Sequence, residues 1–221
     1  RYRLIRYDAR GHGESGATAD PADYAYPSLA ADQLALADAL GIDRFVSGGM
    51  SMCTGTALHV AVAAPDRVQA LVLGIPPTAW EGRQARGATY QDRGRVIREE
   101  GMTVFVEGAM AEPLAPIFEP FADVIRAGIR DRYEGYDPGV LAPLLTGVGG
   151  SDLPEPDAVA TLSMPVLVLA WTGDPVHPES TATRLAELLP QAEVVVASSL
   201  REVFTWKDRV VAFLDGTVQP K

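Results

Sequence analysis

The run from Gly49 to Cys53 places Ser51 at the junction between a predicted strand and a predicted helix. Such a turn lifts a serine hydroxyl above the carboxyl edge of a sheet and aims the free N–H groups of the helix N-terminus at a reacting oxygen. A serine hydroxyl is a weak nucleophile unless a positioned base takes its proton. Ser51 is therefore the first candidate catalytic residue; a structural turn without catalysis is the alternative.

Cys53, two residues after Ser51, is the only cysteine among the 221 residues. A thiolate at a helix N-terminus can act as a nucleophile, but a side chain in the first helical turn here should point into the packing. We therefore expect a small buried residue. One cysteine allows no internal disulfide and no cysteine-based zinc site, and it favours a reducing cytoplasmic location.

Three histidines are available as the base. His59 lies two helical turns beyond Ser51, at roughly 12 Å by the rise of the helix, which is too far for direct proton transfer. His12 lies in a glycine-rich turn near the start of the chain. His177 follows Asp174 by three residues, where it either caps the helix that begins near Pro178 or serves as a displaced base.

Alternating strands and helices predict an α/β fold. Strands are predicted over 1–7, 44–47, 68–75, 165–171 and 192–197, and helices over 28–40, from Ser51 to before Pro65, over 179–189 and over 207–214. The later strands are continuous apolar runs, which indicates a mostly parallel sheet with helices on both faces.

The segment 77–157 differs from the rest because it has helical spacing and no good strand. We interpret it as a helical cap inserted into a core formed by 1–76 and 158–221. Its apolar positions recur at helical spacing and are expected to pack first and to line a pocket second. Its arginines are expected to form a solvated face.

The composition of the chain restricts the classes of partner that it can be expected to bind. The formal charge of −10 and a pI near 4.7 argue against nucleic acid and anionic membrane surfaces, because both repel a net anion. No apolar run is long enough to span a bilayer. No metal-ligand cluster, phosphate-binding loop or dinucleotide motif is present, so the sequence implies no cofactor and no metal.

Four colinear motifs resemble those of the α/β-hydrolase superfamily, in the branch with a helical cap. They are the turn Tyr7 to Ser15, the serine turn Gly49 to Met52, the strand entry Pro65 to Leu73, and the late strand with its loop, Pro165 to Val176. The resemblance implies an α/β-hydrolase fold with Ser51 as nucleophile and Asp174 as the acid that orients a histidine. It also implies that the backbone N–H of Met52 is one oxyanion donor, and that the substrate is an ester or related acyl compound. The apolar stripe of the cap suggests a small, fairly hydrophobic molecule.

The chain departs from the family pattern in two places. Leu200 or Arg201 occupies the position where the family carries its histidine, and neither can act as a base. Glu202 could replace it only if it were buried. The family's first three strands, and the second oxyanion donor that follows the third, are also missing. We expect a partner chain or a missing N-terminal segment to complete the sheet. The alternative function is therefore a catalytically degenerate binding, signalling or structural subunit.

Overall fold

A four-stranded parallel sheet forms the centre of the molecule. The computed structural model describes residues 2–218, and the strands are β1 (Phe45–Met50), β2 (Val68–Gly74), β3 (Val166–Trp171) and β4 (Ala192–Ala197). They pair in the order β1-β2-β3-β4, all parallel. The carboxyl ends of all four strands therefore meet at one edge, where loops can carry a site.

Within residues 2–218, ten α-helices connect and cover these strands. They are α1 (Tyr26–Ala39), α2 (Met52–Ala63), α3 (Arg83–Glu99), α4 (Met102–Ala111), α5 (Ala122–Glu134), α6 (Pro138–Gly149), α7 (Pro156–Ala160), α8 (Glu179–Leu188), α9 (Leu200–Val203) and α10 (Trp206–Thr217). Short 3₁₀ turns cover Pro21–Tyr24, Pro65–Arg67, Trp80–Gly82 and Pro116–Phe121. The predicted α/β architecture, a parallel sheet covered by helices, is confirmed.

Local sequence explains where the helices beside the site begin and end. Gly41 adopts a φ of 66° just after α1, a left-handed conformation that costs glycine little. Helix α2 ends two residues before Pro65, since proline lacks the N–H donor and disfavours helix in its predecessor.

The two central strands carry the core. Leu71 and Leu73 of β2 and Val166 to Val168 of β3 are fully buried. One apolar cluster includes Leu71 and Val168 with residues of α2 and α8, and a second joins Leu167 to Trp206 and Phe213 of α10. Burial of each aliphatic side chain stabilises the fold by about 1.5–3 kcal/mol relative to exposure. The buried central strands therefore give a site firm support.

Helices α3 to α6 follow β2 and precede β3, within the segment predicted as the cap. Gly87 of α3 and Gly149 of α6 let these helices approach closely, since a Cβ on Gly149 would lie 2.7 Å from the Gly87 carbonyl oxygen. The buried Arg83 side chain donates to the Ser151 carbonyl at 2.5 Å and also to that of Val148. The boundaries of the cap, 77 and 157, stay a prediction.

The strand predicted over 1–7 is wrong for the residues that the structure describes. Residues 2–7 form no strand, and Leu4 is 82% exposed. Apolar β-type residues form a strand only when a neighbouring strand supplies the hydrogen-bond ladder, and β1 does not pair with this segment. Within 2–218, none of the helices has the length and the apolar character needed to cross a bilayer.

Candidate active site

Ser51 lies between the last residue of β1 and the first residue of α2. Its φ of 54° and ψ of −118° are an unfavourable combination for a residue with a side chain, and such backbone strain costs of the order of 1–3 kcal/mol. The turn is held from β2, since both the Ser51 N–H and the Thr54 hydroxyl donate to the Gly74 carbonyl at 2.9 Å. The sheet therefore fixes the direction of the serine side chain.

Gly49 and Cys53 meet across this turn. A Cβ on Gly49 would overlap the Cβ of Cys53, so glycine is required two residues before the serine, whereas cysteine is tolerated two residues after it. Cys53 is half-buried and burial raises the pKa of its thiol. A protonated, packed thiol is a poor nucleophile, so this geometry does not favour Cys53 as the reactive group.

His177 lies beside Ser51 although 126 residues separate them in the chain. The Ser51 Oγ is 2.7 Å from His177 Nε2, and His177 Nδ1 is 2.9 Å from Asp174 Oδ2. Because Nδ1 faces a carboxylate, it carries the proton and donates it, and Nε2 is then the acceptor for the serine hydroxyl. The structure thus brings Ser51, His177 and Asp174 together in one chain of side-chain hydrogen bonds.

The Asp174 carboxylate accepts four hydrogen bonds. Oδ1 accepts from the backbone N–H groups of Val176 at 2.7 Å and His177 at 3.1 Å, and Oδ2 accepts from His177 Nδ1 and from Trp171 Nε1 at 2.7 Å. Burial raises the pKa of the Asp174 carboxyl, but the bonds from His177 and Trp171 and the charge of His177 outweigh it and hold that pKa well below its ordinary value. The acid is ionised at neutral pH.

The loop that carries Asp174 and His177 is anchored from the β2 side of the molecule. The N–H and the hydroxyl of Thr78 both donate to the Val176 carbonyl at 3.0 Å, and the Arg86 guanidinium donates to the Pro175 carbonyl at 2.8 Å. These bonds tie the loop to the segment that enters the predicted cap. The position of His177 therefore depends on residues about 90 positions earlier in the chain.

Met52 is the first residue of α2, so its backbone N–H has no helical carbonyl partner four residues before it. The positive end of a twelve-residue helix lies at the same point. An oxyanion that forms on a carbonyl attacked by Ser51 would meet this N–H. Between residues 2 and 218, no group of three or more His, Cys, Asp or Glu side chains is arranged to hold a metal ion.

The other two histidines lie in structural contacts. His12 Nδ1 donates to the Arg10 carbonyl at 3.1 Å, and His59 Nε2 donates to the Asp152 carbonyl at 3.0 Å.

The segment that holds the family's usual histidine position begins with Leu200, the first residue of α9. Arg201 is exposed, and so is Glu202, whose carboxylate accepts bonds from the N–H and hydroxyl of Ser198.

Sequence reasoning missed three residues that hold this site: Trp171, Thr78 and Arg86. Trp171 carried a usable signal, since an indole at the end of a strand three residues before a candidate acid can reach that acid. Thr78 and Arg86 carried none, because their partners lie 98 and 89 residues away.

Comparison with known proteins identifies the family to which this fold belongs. A family model described as the alpha/beta hydrolase fold matches residues 1–208, and the chain belongs to that family.

Two relatives carry the name enol-lactonase. The chain is 29% identical over 206 residues to 3-oxoadipate enol-lactonase 2 of Acinetobacter baylyi, which covers 92% of this chain and 74% of the relative. A solved enol-lactonase from Burkholderia xenovorans LB400 is 25% identical, with a TM-score of 0.79 over 95% of this chain and 80% of that one. A thermophilic esterase from Thermogutta terrifontis, at 22% identity and a TM-score of 0.81 over 96% of this chain and 79% of that one, shares the fold.

Proposed function

We propose that the chain hydrolyses small esters or lactones through a covalent acyl intermediate on Ser51. The observation that carries this proposal is the 2.7 Å contact between Ser51 Oγ and His177 Nε2, together with the 2.9 Å contact from His177 to Asp174. This arrangement supports His177 as the base, whereas the lack of a histidine at the family's usual position favours the alternative, a catalytically degenerate binding protein. The enol-lactonase names of two relatives support ester chemistry.

In the first half of the reaction, Ser51 Oγ attacks the ester carbonyl carbon while its proton passes to His177 Nε2. Asp174 holds the ring and stabilises the imidazolium that forms. The negative charge on the carbonyl oxygen faces the Met52 N–H at the start of α2. His177 then gives its proton to the departing alkoxide, the carbon–oxygen bond breaks, and Ser51 keeps the acyl group.

In the second half, water replaces the alcohol. His177 takes a proton from the water as the water oxygen attacks the acyl carbon. The bond between the acyl carbon and Ser51 Oγ then breaks, and His177 gives the proton to Ser51 Oγ. One ester and one water become one acid and one alcohol. In a lactone, both groups stay on the same molecule.

The substrate is proposed to be small and fairly hydrophobic. Aromatic side chains lie around the acid, where Phe118 contacts the face of Trp171 edge-on with ring centroids 4.8 Å apart. The net negative charge of the protein favours neutral or cationic substrates over anionic ones.

A fluorophosphonate probe with mass spectrometry tests the nucleophile. The wild-type chain is expected to be labelled on Ser51 and to hydrolyse a short-chain p-nitrophenyl ester, and Ser51→Ala is expected to lose both. Ser180→Ala, which removes an exposed hydroxyl on α8, is the matched control and should keep both. Absence of labelling and of turnover in the folded wild-type protein would leave the binding function instead.

A further strand is proposed to pair with β1, supplied by a partner chain or by another segment of the protein. β1 is an edge strand of the described sheet, and an uncovered edge favours aggregation. Amide hydrogen exchange tests this: the β1 amides should be protected in the functional assembly, and fast exchange there would refute the proposal. A cytoplasmic location is proposed on the single cysteine alone.

A further inference from the structure

The indole of Trp171 and the imidazole of His177 donate to the same oxygen of Asp174. Its Nε1 donates to Asp174 Oδ2 at 2.7 Å, and the same oxygen accepts from His177 Nδ1 at 2.9 Å. The other oxygen, Oδ1, is bonded by backbone groups of the same loop. Trp171 is thus the one side chain, apart from the histidine, that donates to this carboxylate among residues 2–218.

We propose that Trp171 is a positioning residue, which turns the Asp174 carboxylate so that Oδ2 faces His177 and keeps the imidazole on Ser51. The proposal rests on the function proposed above and adds a residue to it. Trp171 itself does not touch the serine or its histidine in any described hydrogen bond; it acts through the acid.

The need for such a residue follows from the short spacing of the pair. Asp174 and His177 are three residues apart on one loop, and the two backbone bonds to Oδ1 come from that same loop. Loop residues have more freedom than strand residues, whereas Trp171 is the last residue of β3, whose strand pairs with β4 up to Ala197. The bond from the indole N–H therefore ties the Asp174 loop to a residue that is held in the sheet.

Two aromatic contacts fix the indole. Trp206 of α10 stacks on Trp171 at 5.7 Å between ring centroids with 8° between planes, and Phe118 meets it edge-on. Trp206 is buried and the rings of Trp171 and Phe118 are partly buried, so packing restricts rotation of the indole and helps to set the direction of Nε1.

The stacked pair supplies a matched control. Trp206 Nε1 is buried and has no hydrogen-bond partner in the described part of the chain. Trp171→Phe and Trp206→Phe each remove an indole and keep an aromatic ring in the stack. Only the first removes a donor to Asp174.

The experiment compares the two variants by steady-state kinetics and by proton NMR of the His177 Nδ1–H, which resonates far downfield when bonded to a carboxylate. Trp171→Phe is expected to lower kcat about tenfold, equivalent to about 1.4 kcal/mol, with KM unchanged. It should also shift or broaden the His177 Nδ1–H resonance. Trp206→Phe is expected to leave kcat within about twofold and to leave this resonance in place.

Equal effects of the two variants on kcat and on the resonance would overturn the proposal, since they would show that the stack alone matters. A Trp171→Phe variant with unchanged kcat would overturn it as well. Should Trp171→Phe fail to fold, the wild-type spectrum decides: the Trp171 indole proton must lie downfield of the Trp206 indole proton, and the reverse order refutes the bond. The NMR comparison needs no turnover, so it stands even if Ser51 proves inactive.

Discussion

The loop after β3 and the segment after β4 lie at neighbouring strand ends and differ in the side chains that they carry. The loop after β3 carries both Asp174 and His177, whereas in the segment after β4 either Leu200 or Arg201 stands at the family's usual histidine position. The first loop is tied down by Thr78 and Arg86. The second closes on itself, since the Glu202 carboxylate bonds to Ser198.

The two loops indicate that an acid and a base need a distance and an orientation, and need no particular loop. In the proposed mechanism His177 is the base, so positions 200 and 201 need not supply one. The loop after β3 then holds two groups of the proposed site, so its anchors should be more important. Variants in each of the two loops test this assignment.

The largest effect should come from His177→Ala, because it removes the proton acceptor of Ser51. We expect a loss in kcat of about 10⁵-fold. Leu200→Ala, its counterpart in the second loop, should leave kcat unchanged. Ester turnover measures both, and His59→Gln serves as the histidine control, since glutamine can still donate to the Asp152 carbonyl. A large loss of ester turnover in Leu200→Ala would contradict the assignment of the base to the loop after β3.

Asp174→Asn should lower kcat by about 10⁴-fold, because an amide disturbs the orientation and charge of the histidine. The pKa of Asp174 is lower in the folded protein than in the unfolded chain, so the charge stabilises the fold at neutral pH, and this stabilisation is lost as the pH falls through the folded pKa.

Denaturant unfolding at several pH values measures that effect. The free energy of unfolding of the wild type should exceed that of Asp174→Asn by a constant amount near neutral pH, and the difference should shrink below about pH 4. A difference that grows on acidification would contradict the depressed pKa.

Arg86→Ala should reduce kcat about threefold to tenfold, because it frees the Pro175 carbonyl and loosens the loop that carries the base. Arg95→Ala removes a charge from the same helix α3, where Arg95 pairs only with acidic groups near it in sequence. It should change neither kcat nor KM. Similar losses in both variants would point to a general effect on the helix.

The smallest effect is expected from Glu202→Gln in the second loop. It weakens the bond to Ser198 in an exposed position, so the unfolding free energy should change by no more than about 0.5 kcal/mol. Ester turnover should stay the same. A fall in turnover above threefold would show that this segment still contributes to catalysis.

Much of the fold could be predicted from the sequence because continuous apolar strands and helix stops are local signals. The strand over 192–197 and the start of the helix at Glu179 agree with the structure. Helix α1 begins at Tyr26 instead of residue 28, and β1 extends to Met50 instead of ending at residue 47. Such boundaries depend on the neighbouring strand and helix caps, which a propensity argument does not see.

Less of the candidate site could be predicted from the sequence. The sequence predicts Ser51 from its turn and Asp174 from the colinear motifs, but the spacing of His177 from Asp174 suits a helix cap as well as a base. Only the fold brings residue 177 within 2.7 Å of residue 51. Two separate chain segments had to meet at the carboxyl edge of the sheet, and no local pattern encodes that meeting.

The strained turn at Ser51 also makes the serine a reporter of folding. Its positive φ is maintained by the bonds to the Gly74 carbonyl, which exist only once β1 and β2 have paired. In an unfolded or partly folded chain the residue relaxes to an ordinary backbone conformation and loses its contact with His177. The rate at which a fluorophosphonate modifies Ser51 during refolding would therefore record when β1 pairs with β2 and the contact with His177 forms.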